Sequence, residues 1–119
     1  MHEMSLAIRV IEIAILEAEK AGARTLDEIE VEVGQLAGVM AEALSFCLDA
    51  AARGTRAEGA EIVLIQVPGQ GHCPSCQQEV AVAEFPAQCP KCGGFGVKIL
   101  AGTDLRIRSI NIDNQKAKE

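Results

Sequence analysis

The sequence predicts an α+β protein: two helices packed on a small three-stranded mixed sheet, with an inserted four-cysteine, zinc-ribbon-like module. Three observations predict it. Two segments repeat apolar residues at helical spacing, three others read as strands, and four cysteines fall in two close pairs ahead of the last strand. With 119 residues, 49% of them hydrophobic, the chain can form one packed domain plus a small module.

Residues 4 to 18 read as the first helix. Met4, Ala7, Ile8, Ile11, Ile15 and Ala18 form one stripe at i, i+3, i+4 spacing. Leu6, Val10, Ile13 and Leu16 add apolar surface elsewhere, so this helix is expected to be buried on more than one side or to meet a partner. It is too short for a membrane span and carries Arg9 and Glu12. It also lacks the basic leader of a secretory signal, which predicts a cytoplasmic protein. Gly22 ends it.

Thr25-Leu26-Asp27-Glu28 fits a helix capping box. The residues after it do not, because Ile29, Val31 and Val33 alternate with Glu28, Glu30 and Glu32, the period of a half-exposed strand. Gly34 and Gly38 bracket a loop. Residues 40 to 53 form the second helix, with Met40, Ala43, Leu44, Cys47, Leu48 and Ala51 on one face. Cys47 in that stripe reads as a small buried hydrophobe rather than a reactive thiol. Gly54 stops the helix.

Residues 60 to 67 form a second strand, apolar on both sides and therefore expected to be central. A right-handed crossover would make it parallel to the first. Pro68-Gly69-Gln70-Gly71 reads as a linker that lets the module move, and its Gly-x-Gly lacks the following helix of a phosphate loop. Residues 97 to 100 could pair within the module. Residues 105 to 112 alternate again and should return to the first sheet. The expected organisation is residues 1–67 plus 103–113 as one α/β domain, 68–102 as the cysteine module, and 114–119 as a frayed tail.

The module reads Cys73-Pro74-Ser75-Cys76, twelve residues, then Cys89-Pro90-Lys91-Cys92-Gly93. Thiols two residues apart reach one ion from a tight turn, and two such turns give four thiolates around a tetrahedral ion. Pro74 and Pro90 stiffen the turns, and Gly93 permits the positive φ that closes the second. The segment between holds few large apolar residues, mainly Val80, Val82 and Phe85, so a metal is the expected staple. Zinc is favoured, as a structural ion. A disulfide pair suits an oxidising compartment instead, and iron in a rubredoxin-type site uses the same ligands. A closed four-thiolate site has no open position for chemistry.

A net charge of −6 argues against nucleic acid, whose phosphates require clustered Lys and Arg. Between Cys73 and Cys92 the only basic residue is Lys91, and no stacking aromatic beyond Phe85 is present. A zinc-ribbon module for nucleic acid or protein interaction, without nickel, is the alternative reading. Nothing in the chain assembles a nucleophile, a base and an orienting group, so a carrier is expected rather than an enzyme.

The chain begins Met1-His2-Glu3. A terminal amine, the next amide nitrogen and the imidazole of a residue-two histidine form consecutive chelate rings. Such nitrogens occupy adjacent corners of a square plane, which suits Ni(II) or Cu(II) better than zinc. Glu3 could add its backbone nitrogen or its carboxylate. Acid would compete with the metal for the nitrogen ligands.

Met1-His2-Glu3, the helix after it, Gly34-x-x-x-Gly38, Glu42-Ala43-Leu44-x-Phe46, Gly54-Thr55-x-Ala57-Glu58-Gly59-Ala60 and the paired C-x2-C turns together resemble the HypA/HybF family. These are nickel metallochaperones for the maturation of nickel-iron hydrogenase, and the resemblance covers nearly the whole chain. It implies Ni(II) as cargo, held by His2 and Glu3 with the terminal amine of Met1, and structural Zn(II) on Cys73, Cys76, Cys89 and Cys92. It implies a HypB-type GTPase and the hydrogenase large subunit as partners, with urease maturation proteins for some members. The expected state is a monomer or weak homodimer, and the exposed part of the first helix, with the sheet edge, is expected to meet the GTPase. Many members carry an acidic residue where this chain has Met40, so position 40 offers no carboxylate and the fourth nickel ligand stays open. Glu42 lies close in sequence. His72, beside Cys73, is a candidate regulatory ligand, against the plainer reading of an exposed histidine.

Overall fold

The computed structural model describes residues 2–112. The chain order is α1 (Glu3–Lys20), β1 (Leu26–Gly34), α2 (Ala41–Ala52), β2 (Glu61–Val67), β3 (Gln70–Cys73), β4 (Gln78–Ala81), β5 (Lys98–Ala101) and β6 (Leu105–Ile112). Two three-stranded sheets result, ordered β2-β1-β6 and β4-β3-β5. The expected class, two helices with a small mixed sheet and a four-cysteine insertion, is the one observed. Among the described residues, one compact unit takes in 2–31, 40–65 and 106–112, and a second takes in 32–39 and 66–105. The expected tail, 114–119, lies outside the described residues.

In the first unit α1 packs on α2. The buried face of α1 is Ala7, Val10, Ile11, Ala14 and Ala18, and that of α2 is Leu44, Leu48 and Ala52. Ile29 and Val31 of β1 are fully buried. The expected α1 stripe is rotated: Met4 and Ile8 are 39% and 46% exposed, and Val10 and Ala14 take their place. Short alanine side chains let a neighbouring element approach closely, so the larger residues fall outside the contact. Met40 also leaves its expected face. It is the N-cap of α2, with extended φ −83° and ψ 117°, and is 70% exposed rather than part of the helical stripe.

The C-terminus of α1 closes as a Schellman motif. Gly22 has φ +80°, its N–H donates to Glu19 O at 3.0 Å, and Ala23 N–H reaches back to Ala18 O at 3.0 Å. The motif after α2 is likewise self-contained. Gly54 (φ +77°) donates to the Glu58 carboxylate at 3.1 Å, Thr55 Oγ1 donates to Ala52 O at 2.6 Å, and Ala57 is fully buried.

The capping-box pattern at Thr25 is not used, since β1 starts at Leu26. Sheet order corrects one expectation: β2 is an edge strand and β1 the central one. Ile62, Val63, Leu64 and Ile65 are each only partly buried, so apolar character on both faces does not here mark a centre. β6 returns to β1 as expected. Ser109 Oγ donates to Glu30 Oε1 at 3.0 Å, and Asn111 Nδ2 donates to Glu28 Oε1. One number rises as the other falls, so β1 and β6 are antiparallel. Arg108 stands 3.8 Å from Glu30, so the strand glutamates meet β6 side chains.

The second unit has its own small core of Leu36, Cys73, Val80, Val82, Ala87 and Cys89, with Cys76, Val97 and Ile99 packed against it. β3 pairs antiparallel with β4 and with β5, so residues 97–100 do pair within the module, through β5. One expectation fails. Residues 68–71 are no free linker: Gln70 and Gly71 belong to β3, Gly69 N–H donates to Gln35 Oε1 at 2.9 Å, and Gly69 O accepts from Val82 N–H at 3.0 Å. Gly69 is buried, and a side chain there would run into Leu36 and the Val82 carbonyl. Phe85 is 59% exposed and leaves the module core to the smaller valines. No helix among the described residues is long and apolar enough to cross a membrane.

Candidate metal centres

Cys73 ends β3 and lies opposite Gln78, the first residue of β4, so the first cysteine pair forms the turn of a hairpin. The N–H of Gln77 closes that turn on Cys73 O at 2.7 Å. The second pair repeats the device, with Gly93 N–H bonded to Cys89 O at 2.8 Å. The closing residues take the same left-handed backbone, φ 55° at Gln77 and 77° at Gly93. Only the second was expected. The signal for the first lay in the repeat itself, since Gln77 follows Cys76 as Gly93 follows Cys92.

These turns aim four thiols at one point. The Sγ atoms of Cys73, Cys76, Cys89 and Cys92 all lie within 4.8 Å of one another. Cys73 and Cys92 are 3.7 Å apart, and Cys76 and Cys89 are 3.9 Å apart. Four sulfurs at about 2.3 Å from a tetrahedral ion stand about 3.8 Å from each other. The observed spacing fits that geometry and is far beyond the roughly 2.05 Å of a disulfide. None of the five cysteines is in a disulfide.

The surroundings of Cys89 favour its thiolate. The N–H groups of Lys91 and Cys92 point at Cys89 Sγ from 3.4 and 3.5 Å. Those amides, that of Cys92 foremost, bring the Cys89 thiol down to about 6. Cys76 is pushed up to about 12, first by its hydrogen bond with Cys92 and then by burial. An ion that takes all four sulfurs must displace the protons they carry. Lys91 Nζ donates to Gln78 Oε1 at 2.6 Å and ties the second turn to the first hairpin. Cys73 and Cys89 are buried while Cys92 is exposed, so the cluster opens to solvent on one side. His72 is exposed on the opposite face of β3 from Cys73, and the close group of donors among the described residues comprises the four cysteines.

The other expected site lies at the start of α1. His2 is exposed at the N-cap, and its carbonyl accepts from Leu6 N–H at 3.1 Å. Glu3 begins the helix and is buried, and its carboxylate accepts a hydrogen bond from the backbone N–H of Met40 at 3.2 Å. That amide is the foremost of the groups that bring the Glu3 carboxyl from 4.5 down to about 2. Met1, the expected source of the amine ligand, lies outside the described residues. Glu42 is exposed in the first turn of α2. Cys47 is half-buried on α2 and belongs to neither centre.

Four thiols set for a tetrahedral ion, in a segment inserted between the strands of a two-helix domain, are the arrangement of a metal-binding protein. The family model described as "Hydrogenase/urease nickel incorporation, metallochaperone, hypA" matches residues 1–112. The hydrogenase maturation factor HypA of Chlorobaculum tepidum is 47% identical over 113 residues, covering 95% of this chain and all of that one. The factor of the same name from Geobacter metallireducens is 38% identical over the same shares. The solution structure of the Ni metallochaperone HypA from Helicobacter pylori has the same fold, with TM-score 0.66 at 18% identity over 94% of this chain and 97% of that one. The chain belongs to the HypA family. It is a metallochaperone of hydrogenase maturation and not an enzyme.

Proposed function

We propose that the chain carries Ni(II) at its N-terminus and delivers it, with a HypB-type GTPase, to the large subunit of nickel-iron hydrogenase in the cytoplasm. The nickel ligands are His2, Glu3 through its backbone nitrogen or its carboxylate, and Met1 through its terminal amine. The family match that begins at residue 1 carries this reading, because it includes Met1-His2-Glu3. The exposed position of His2 supports it, since an imidazole in solvent can take up cargo and give it away. A square-planar ion accepts such contiguous nitrogen donors. Cys73, Cys76, Cys89 and Cys92 hold structural zinc, a reading supported by Sγ separations of 3.7 and 3.9 Å. When bound, zinc supplies the cross-link that a core of this size lacks.

The test is nickel titration of the zinc-loaded protein with its native N-terminus, beside His2→Ala and an N-terminally extended form. Loss of binding in both variants, with zinc retained, is expected. Retention in the extended form alone would remove the amine and keep the imidazole. Full-strength binding in both would overturn the assignment.

A further inference from the structure

We propose that the Glu3 carboxylate is a positioning group rather than a nickel ligand: it fastens the start of α1 to the start of α2 and so holds His2 in place to receive the metal. The proposal rests on the N-terminal nickel reading. Among the described residues Glu3 is the buried charged side chain, 8% exposed. A buried carboxylate is retained where its oxygens are satisfied, and this one accepts the Met40 N–H at 3.2 Å across 37 positions of sequence.

That N–H has a particular place. Met40 is the N-cap of α2, and no side-chain cap bond is made there by Met40 itself. The carboxylate therefore brings negative charge to the positive end of α2, where backbone N–H groups lack partners within the helix. The fastening acts on His2 through one peptide unit. His2 O is already bonded to Leu6 N–H, so the His2 backbone is held on the α1 side by that bond and next to α2 through Glu3. The imidazole stays exposed on a fixed backbone. Ligands held in advance bind more tightly because less freedom is lost on binding.

Four substitutions separate the two roles. Glu3→Gln keeps an acceptor oxygen for Met40 N–H and removes the anionic ligand. Glu3→Ala removes both. Met40→Pro removes the N–H together with the methionine side chain, and φ −83° is near the proline value of about −65 ± 15°. Met40→Ala, which keeps the N–H, controls for the lost side chain. Nickel affinity and the visible absorption of bound Ni(II) are measured on zinc-loaded proteins whose helix content matches wild type.

Glu3→Ala and Met40→Pro should each weaken nickel binding about tenfold, as for loss of one charge-assisted hydrogen bond, while Glu3→Gln and Met40→Ala stay within about threefold of wild type. The Glu3→Ala, Met40→Pro double variant should be no weaker than either single one, because both remove the same contact. The Ni(II) absorption of Glu3→Gln should match wild type. If Glu3→Gln weakens binding as much as Glu3→Ala and shifts the absorption, the carboxylate is a ligand and the proposal is overturned. Met40→Pro at wild-type affinity beside a weak Glu3→Ala would overturn it too. Unchanged binding in His2→Ala would overturn the N-terminal reading itself, and this proposal with it.

Discussion

The N–H of Leu36 donates to the carbonyl of Gly102 at 2.7 Å, and Gly34 N–H donates to Asp104 O at 2.8 Å. These bonds join the loop after β1 to the turn before β6, so the cysteine unit is closed by backbone from both ends of its sequence. Leu36 then enters the same small core as Cys73 and Cys89.

Gly102 makes this closure possible. Its φ is +96°, and a Cβ there would lie 2.6 Å from Gly69 Cα and 2.8 Å from Pro68 O. Both obstacles are backbone and cannot rotate away. Gly102→Ala should destabilise the cysteine unit by about 1–3 kcal/mol, the usual cost of forcing extra volume into a packed site. Urea unfolding followed by zinc release should show a lower midpoint, while the equivalent substitution at Gly96, where nothing lies within 4 Å, should leave it nearly unchanged.

The Glu3–Met40 bond predicts a pH dependence. The Glu3 carboxyl is lowered from 4.5 to about 2, so the folded state prefers the carboxylate. A depressed folded value contributes stability that is complete above about 4.5 and is lost as pH falls towards 2. The difference in urea midpoint between wild type and Glu3→Gln, followed by helical circular dichroism, should therefore shrink across that window. A difference that stayed constant would mean that the charge of Glu3 adds nothing to its hydrogen bond.

The two faces of α2 differ in what they support. Leu48 is fully buried, whereas Phe46, two residues away, is 71% exposed. Leu48→Ala should cost about 2–5 kcal/mol, because it leaves a cavity in a closed core. Phe46→Ala should stay within about 0.5 kcal/mol in the isolated protein. Equilibrium unfolding of both variants checks the contrast. If Phe46→Ala is nonetheless defective in hydrogenase maturation, its exposed ring acts on a partner and not on the fold.

Much of this was legible in sequence because the signals were local. The alternation of Ile29, Val31 and Val33 with glutamates outweighed the capping-box pattern at Thr25, since a strand's period extends over more residues than a four-residue cap. The spacing of the cysteines implies their convergence, because each pair reaches one ion from a tight turn. What could not be read was set by partners distant in sequence. β2 carries apolar residues on both faces, yet strand order depends on where β6 returns. Leu36 looks like a loop residue until residues 66–105 fold beside it, and Gly69 looks like a linker until Val82 and Leu36 surround it. Met4 and Ile8 match the helical stripe by spacing, but of the overlapping stripes on α1 the one that is buried carries the small Ala7, Ala14 and Ala18. The Glu3–Met40 bond spans 37 positions and leaves no periodic trace.

The thiols report on the metal. The chain has five cysteines, four of them in the cluster, so only Cys47 lies outside it. In the zinc-loaded protein a thiol reagent should find one slow site, because Cys47 is half-buried on α2. After chelation all five should react. The core of the second unit is built partly from the ligands themselves, since Cys73 and Cys89 are among its buried members. Metal removal should therefore loosen residues 66–105, while the α1–α2 pair, whose core is Ile11, Leu44 and Leu48, stays folded. Hydrogen exchange on the chelated protein should show lost protection in β3, β4 and β5 and retained protection in the two helices. Loss of protection in both units together would mean that the four-thiolate centre holds up the whole chain and not its own module alone.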